Sequence, residues 1–327
     1  MAGKGGPERR LLAGTAIALL VGAAPLAAQY PQCQPYVGQT NALNLCNAVI
    51  DGARGFHPIL GLLTSGGAPV LGASDALGGF GHVYVTVRVN ATRVVLPDLN
   101  YDGSTTTVGA GDKLFFPSPV IETAVGLFSG TRTGLLALDF LGSAQLLPTN
   151  QIDNFSVAST ARHIGSVALG LGFGARLGVI RETAALPGVT VSVMRRDIPE
   201  LRYGDLGAGA NLSSATNLKA TNVRAVATKG FGIARVGGGL GWDRYTGHAQ
   251  VQFRNPTTAI PEPALDLDLA NSRILGFANA GLDFRHVKLT AEAGYQFGKD
   301  QHLVTTFTDF DPSGGRFFAA VGLTVGL

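Results

Sequence analysis

From Phe284 to Leu327 the chain alternates apolar and polar positions. Val287, Leu289, Ala291, Ala293, Tyr295 and Phe297 fall on one side; Lys288, Thr290, Glu292, Gly294, Gln296 and Gly298 fall on the other. Phe317, Ala319, Val321, Leu323, Val325 and Leu327 repeat the apolar side. An extended chain sends alternate side chains to opposite faces, so this pattern predicts strands with one greasy and one wet face. The last segment is long enough to cross a bilayer as a tilted strand, which needs roughly 9–11 residues. Similar alternation predicts strands near 81–96, 119–129, 134–147, 164–180, 189–203, 216–228, 231–253, 271–284, 287–298 and 316–327. Short connections at 129–133, 181–188, 228–230 and 283–286 alternate with long polar ones at 97–118, 148–163, 204–215, 254–270 and 299–315. Bacterial barrels pair long external loops with short periplasmic turns and an even strand number. The prediction is an all-β, closed antiparallel transmembrane β-barrel of about ten strands, range 8–14, in the bacterial outer membrane. Its lipids are its first partners. Ten strands put both termini in the periplasm.

The N-terminal part reads differently. Met1–Ala28 has a basic start (Lys4, Arg9, Arg10), an apolar stretch Leu11–Val21 and a small-residue region ending at Ala28. It predicts a cleaved export signal, with a retained membrane helix as the alternative. Nothing later is apolar for 18 residues in a row, so no transmembrane helix is readable. Residues 29–79 predict a plug inside the barrel or across its periplasmic mouth; a periplasmic extension is the alternative. Helical spacing of Leu43, Cys46 and Ile50 predicts one helix over about 41–53, capped by Asn41 or Asn44. A glycine-rich run from Ser65 to Gly81 follows, suited to tight turns. Residues 80–327 form the barrel.

Composition adjusts this picture. Only 14% of residues are charged, and Gly is 46 of 327. Mean hydropathy is +0.24. The formal charge of +3 falls to +1 without the signal segment, so the basic balance does not point to nucleic acid. Cys33 and Cys46 are the only cysteines. In an exported chain they predict a disulfide, with a redox or metal pair as the alternative.

Three stretches carry a family likeness: Leu77-Gly-Gly-Phe-Gly-His82 before Arg88-Val-Asn90, Gly134-Leu-Leu-Ala-Leu-Asp-Phe-Leu-Gly-Ser-Ala-Gln-Leu-Leu-Pro148, and Leu186-Pro-Gly-Val-Thr-Val-Ser-Val-Met-Arg-Arg196. In these the chain resembles a bacterial outer-membrane barrel family related to the FadL-type transporters of hydrophobic compounds. The resemblance implies an N-terminal plug and passage of small apolar molecules, making a small hydrophobic ligand and the barrel-assembly machinery the further expected partners. It departs from FadL-type barrels in strand number, about ten against fourteen, and in ending on Leu327 rather than an aromatic.

By parity the inward charges, the lumen-lining candidates, are Arg88, Glu122, Asp139, Arg176, Arg196, Arg224, Arg235, Asp243, Lys288 and Glu292. They either pair with one another and the plug or form a selectivity lining. Trp242, Tyr295 and Phe297 are girdle candidates. No nucleophile–base pair, HExxH or His pair with ligand spacing is present, so no enzyme, metal or cofactor is expected. Asp98–Gly103 resembles a calcium-loop fragment without its closing Glu and reads as a turn; Leu265–Leu269 reads as an acidic loop.

Overall fold

The computed structural model describes residues 30–73, 76–131, 135–149, 153–284 and 286–327; the predicted signal segment lies outside them. Ten long strands form the barrel: β1 (Val83–Pro97), β2 (Ala110–Phe128), β3 (Leu138–Pro148), β4 (Val167–Ile180), β5 (Gly188–Tyr203), β6 (Leu212–Phe231), β7 (Ala234–Phe253), β8 (Leu265–Phe284), β9 (Val287–Gln296) and β10 (Arg316–Gly326). Each pairs antiparallel with the next, and β10 closes on β1 with Val87 opposite Leu323. Closure satisfies the backbone without an open edge, the condition for strands in lipid.

The faces are those of a membrane barrel. Val87, Ile121, Phe173, Leu240, Leu289 and Val321 are exposed, whereas Arg88, Glu122, Arg176, Asp243, Thr290 and Glu292 on the same strands are buried. A water-soluble barrel would show the reverse. Along β7 the outward set is apolar up to Trp242 and then becomes Arg244, Thr246, His248 and Gln250. From Ala234 to Trp242 a tilted strand rises ~20 Å, most of the apolar band of about 25 Å. On β8 the change falls between Ile274 and Ser272. Trp242 and the outer cluster Tyr295, Phe297 and Phe317, with ring centroids 4.8 and 5.5 Å apart, lie at this border. Beyond it β5–β8 continue as a polar wall on the long-loop side, which is the cell exterior.

Three boundaries depart from the sequence reading. β2 begins at Ala110 rather than at 119, and it carries Pro117 and Pro119 on its outward face opposite Ala91 and Val89. β8 begins at Leu265: in the supposed acidic loop, Leu267 and Leu269 are buried and Asp266 and Asp268 point to water. The β6–β7 hairpin turns at Gly232, φ +64°, rather than at 228–230.

The N-terminal part fills the barrel. A 3-10 turn, Pro31–Tyr36, leads into α1, Thr40–Ser65, which continues past the predicted end and through Pro58. No side chain caps α1; Asn44 instead donates to the Gly103 carbonyl at 2.8 Å. Cys33 and Cys46 are joined, Cα–Cα 5.7 Å. Leu45 and Ile50 pack with Leu99, Val251 and Phe253; Ile59 and Leu60 pack with Val94, Leu147 and Leu218. Each such side chain contributes roughly 1.5–3 kcal/mol by leaving water. After α1 the chain descends the lumen to Val83, which pairs with Leu327 at the short-turn end. The described chain therefore starts among the long loops, at Tyr30. The expectation that both termini are periplasmic holds for the two strand ends, not for the start of the plug.

Candidate functional site

Below α1 the lumen is closed by a polar clamp. Seven of the ten barrel strands in succession, β1 to β7, and then β9, each place one charged side chain at this level: Arg88, Glu122, Asp139, Arg176, Arg196, Arg224, Asp243 and Glu292. None is more than 3% exposed. Four arginines thus face four carboxylates, so the layer is formally neutral.

The plug backbone completes it. Arg224 donates to the carbonyls of Ser65 (2.8 Å) and Gly67 (2.9 Å), and Arg88 to those of Gly66 (3.1 Å) and Ala68 (2.6 Å). Arg176 donates to Ala73 O at 3.1 Å. Two carboxylates accept in return: Glu292 from Ala68 N at 3.2 Å, and Asp139 from Leu77 N at 3.1 Å. The same arginines are paired on the wall, Arg88 with Glu122 at 3.4 Å, Arg176 with Asp139 at 2.8 Å and Arg224 with Asp243 at 2.6 Å. Arg196 does not reach the plug. It braces Glu122 at 3.1 Å and Asn222 at 2.6 Å. Buried ions are costly unless they are paired in this way. Gly67 has φ +80° and lies against Glu292, so a side chain there would collide with the clamp.

The structure adds residues that parity did not single out. Asn222 donates to Asp243 at 2.7 Å, Tyr245 donates to the other Asp243 oxygen at 2.7 Å, and Gln296 donates to Tyr245 at 3.0 Å. All three are inward by alternation; counting neutral side chains with the charges would have found them. Arg235 and Lys288, also predicted inward, lie outside the clamp at the short-turn end. Arg235 pairs with Glu182 at 3.0 Å, and Lys288 with Asp283 at 3.3 Å.

The external end has its own fastening. Asp51, fully buried on α1, accepts from Val304 N (3.1 Å), Thr305 N (2.8 Å) and the Tyr30 hydroxyl. Arg54 stacks on the Tyr30 ring at 4.6 Å. Tyr36 donates to Glu262 at 3.0 Å, and burial first, then this bond, pushes its hydroxyl up to about 12. His57 lies beside Gly247, above the apolar band; burial lowers it to about 4, against a bond to the Thr246 carbonyl. A lone acid and a lone His on an apolar helix were the available signals for Asp51 and His57.

Open space flanks the clamp on both sides. Outside, a narrow crevice of about 40 Å³ between α1 and the wall is lined by Ala53, Phe56, Leu96, Leu99, Tyr203 and Leu212, with no charged side chain. At the short-turn end a vestibule of about 710 Å³ reaches Leu77 and Gly78 and is lined by Arg181, Glu182, Lys229 and Arg235. Among the described residues no group of three or more His, Cys, Asp or Glu side chains is placed to hold a metal ion.

The architecture is that of a bacterial outer-membrane β-barrel, by its closure, its lipid-facing belt and its alternation of long and short connections. No protein-family model and no curated protein matches the chain. Solved structures similar to it at low scores include the translocator domain of the autotransporter NalP from Neisseria meningitidis, 10% identical, covering 75% of this chain and 87% of that one, TM-score 0.37. The Pseudomonas putida toluene transporter TodX is 12% identical, covering 79% and 96%, TM-score 0.28. The attachment invasion locus protein Ail of Yersinia pestis is 10% identical, covering 76% and 99%, TM-score 0.28. These likenesses concern the barrel fold alone, and the chain's own belt and closure place it in the outer membrane.

Proposed function

We propose that this barrel admits small apolar solutes at its external crevice, which widens to take them, and passes them to the periplasm when the segment Ser65–Ala73 moves. The observation that carries the reading is the position of two voids, one apolar and external, one polar and periplasmic, with this one short segment between them. The segment is held through its backbone by arginines and through the small apolar set Ala68, Val70, Leu71 and Ala73, fewer apolar side chains than α1 buries, so it is the part of the plug that can leave as a unit. The relation to FadL-type transporters of hydrophobic compounds belongs to this reading. A ten-stranded wall is narrower than fourteen strands, so passage requires the plug to shift rather than a solute to slip past it. Membrane lipids and the barrel-assembly machinery are the partners the reading implies; no enzymatic role is proposed.

A second reading, a barrel that does not transport, is favoured by the packing around Arg88, Asp139 and Glu292, which are 1%, 0% and 3% exposed. The test is entry of a small apolar dye into liposomes carrying the intact chain or a variant lacking residues 30–79. Faster entry in the variant supports transport; equal entry supports the sealed barrel.

A further inference from the structure

The polar wall above the membrane has two free sides, and only one is covered. On the β5 side, Phe155–Val157 add as a short strand along Leu201–Tyr203. On the β8 side no strand is added among the described residues: β9 and Phe297 pair with β8 from Ile274 onward, and beyond that the following loop reaches β8 through side chains, Lys299 to the Ser272 hydroxyl at 3.0 Å and Asn271 to Gln301 at 3.2 Å, leaving the backbone of Leu265–Arg273 paired to β7 alone.

The register says which backbone groups are bare. Phe297 N donates to Ile274 O at 2.8 Å, so Ile274 directs its backbone groups to the β9 side. In an antiparallel ladder alternate residues share that direction. Asp266, Asp268, Ala270 and Ser272 therefore present N–H and C=O to the bare side, while the odd residues bond to β7. The edge is rigid, because Leu267 and Leu269 are anchored in the core around the Cys33–Cys46 bond. A cleft of about 300 Å³ runs beside it, lined by Arg54, His57, Asp268, Ala270, Lys299 and Gln301 among others. Such an edge is a template for another strand.

The charges select the occupant. Asp268, 2.6 Å from the ring of the exposed His248, and Asp266, which accepts from Gln250 at 3.2 Å, hold the outward face on the β7 side only. Opposite charges in facing strands attract and like charges repel. A second copy of this chain is a poor fit. Two barrels in one membrane are related by an axis along its normal, which sets Asp266 and Asp268 at the heights of their own counterparts.

We propose that the bare edge of β8, Asp266–Ser272, is a docking site for an extended cationic peptide that adds to the wall as a further strand, with basic side chains alternating beside Asp266 and Asp268. Binding needs no change in the lumen, so it is independent of solute passage.

The experiment uses the full chain in detergent and a fluorescent decapeptide of alternating lysine and valine, read by anisotropy. Saturable binding is expected, with the glutamate-for-lysine peptide at least tenfold weaker. Ala270→Pro removes one bare N–H and leaves the β7 ladder intact, since a proline is tolerated where its nitrogen faces away from the sheet. It should weaken binding at least tenfold while heat-modifiable migration on a gel stays unchanged. Asp266→Lys with Asp268→Lys should reverse the peptide preference. No saturable binding overturns the proposal, as does binding indifferent to Ala270→Pro, which would mean charge attraction without strand addition. Cross-linking of two chains through Ser272→Cys that excludes the peptide would give the edge to a second copy and also overturn it.

Discussion

The plug has two halves, held by opposite physics. Its outer half, α1, is a helix whose Leu45, Ile50, Ile59 and Leu60 are buried against apolar wall residues. Its inner half, Gly66–Ala73, buries the smaller set Ala68, Val70, Leu71 and Ala73 and is held in addition through main-chain carbonyls by Arg88, Arg176 and Arg224. Apolar contact is non-directional and roughly proportional to area, so it tolerates small shifts. Buried charge pairs are directional, and losing one partner strands the other. The outer half is therefore a seat, and the inner half is a latch that is either fully made or broken.

The largest expected effect comes from breaking the latch on one side only. Arg224→Ala leaves Asp243 buried beside Asn222 and Tyr245 without its cation. The expected loss is about 3–5 kcal/mol, read by urea unfolding with the single Trp242 as reporter. Removing both partners, Arg224→Leu with Asp243→Leu, should recover most of that loss; if the double variant is as unstable as the single one, the latch is not an ion-pair device.

Reducing the Cys33–Cys46 bond sharpens the contrast. It should cost about 3 kcal/mol in the outer half, following the loop-closure argument for a short ring. Labelling of a cysteine placed at Asn44 should rise after reduction, whereas one placed at Ala68 should stay protected. Equal labelling at both sites would mean that the halves move together. Leu60→Ala comes next, at about 2–3 kcal/mol, the lower part of the usual range, because a helix packed by area can settle into the gap.

Acid should loosen the outer half as well, over a defined pH window. His57 is held neutral, at about 4 against an ordinary 6.5, so its contribution is present above pH 6.5. That contribution falls as pH drops from 6.5 toward 4, because the unfolded chain binds the proton first. A melting curve series over that window should slope downward for the native chain and less so for His57→Asn. Parallel slopes would remove His57 from the account.

Much of this was legible in the residues. Alternation located ten strands and the inward charges, because a barrel wall imposes a period of two wherever lipid faces one side. It failed where lipid ends. At Leu265–Leu269 the outward face meets water, so Asp replaces Val and the strand reads as an acidic loop. Pro117 and Pro119 hid the start of β2 for the opposite reason: they face outward and break no ladder that matters. That Arg88 and Arg224 grip Ser65–Ala68 could not be read, because the partners are main-chain carbonyls that leave no trace in side-chain pattern. The direction of the plug was equally hidden. Helical spacing gives α1 but not which end of the barrel it enters.

The latch itself is tested most directly by conductance in planar bilayers, comparing the intact chain with Arg88→Ala/Arg224→Ala. The intact chain should pass no steady current, and the variant should open to discrete steps as Gly66–Ala68 come free. Steady current through the intact chain, or a variant as silent as its parent, would contradict a lumen closed by arginines holding the plug backbone.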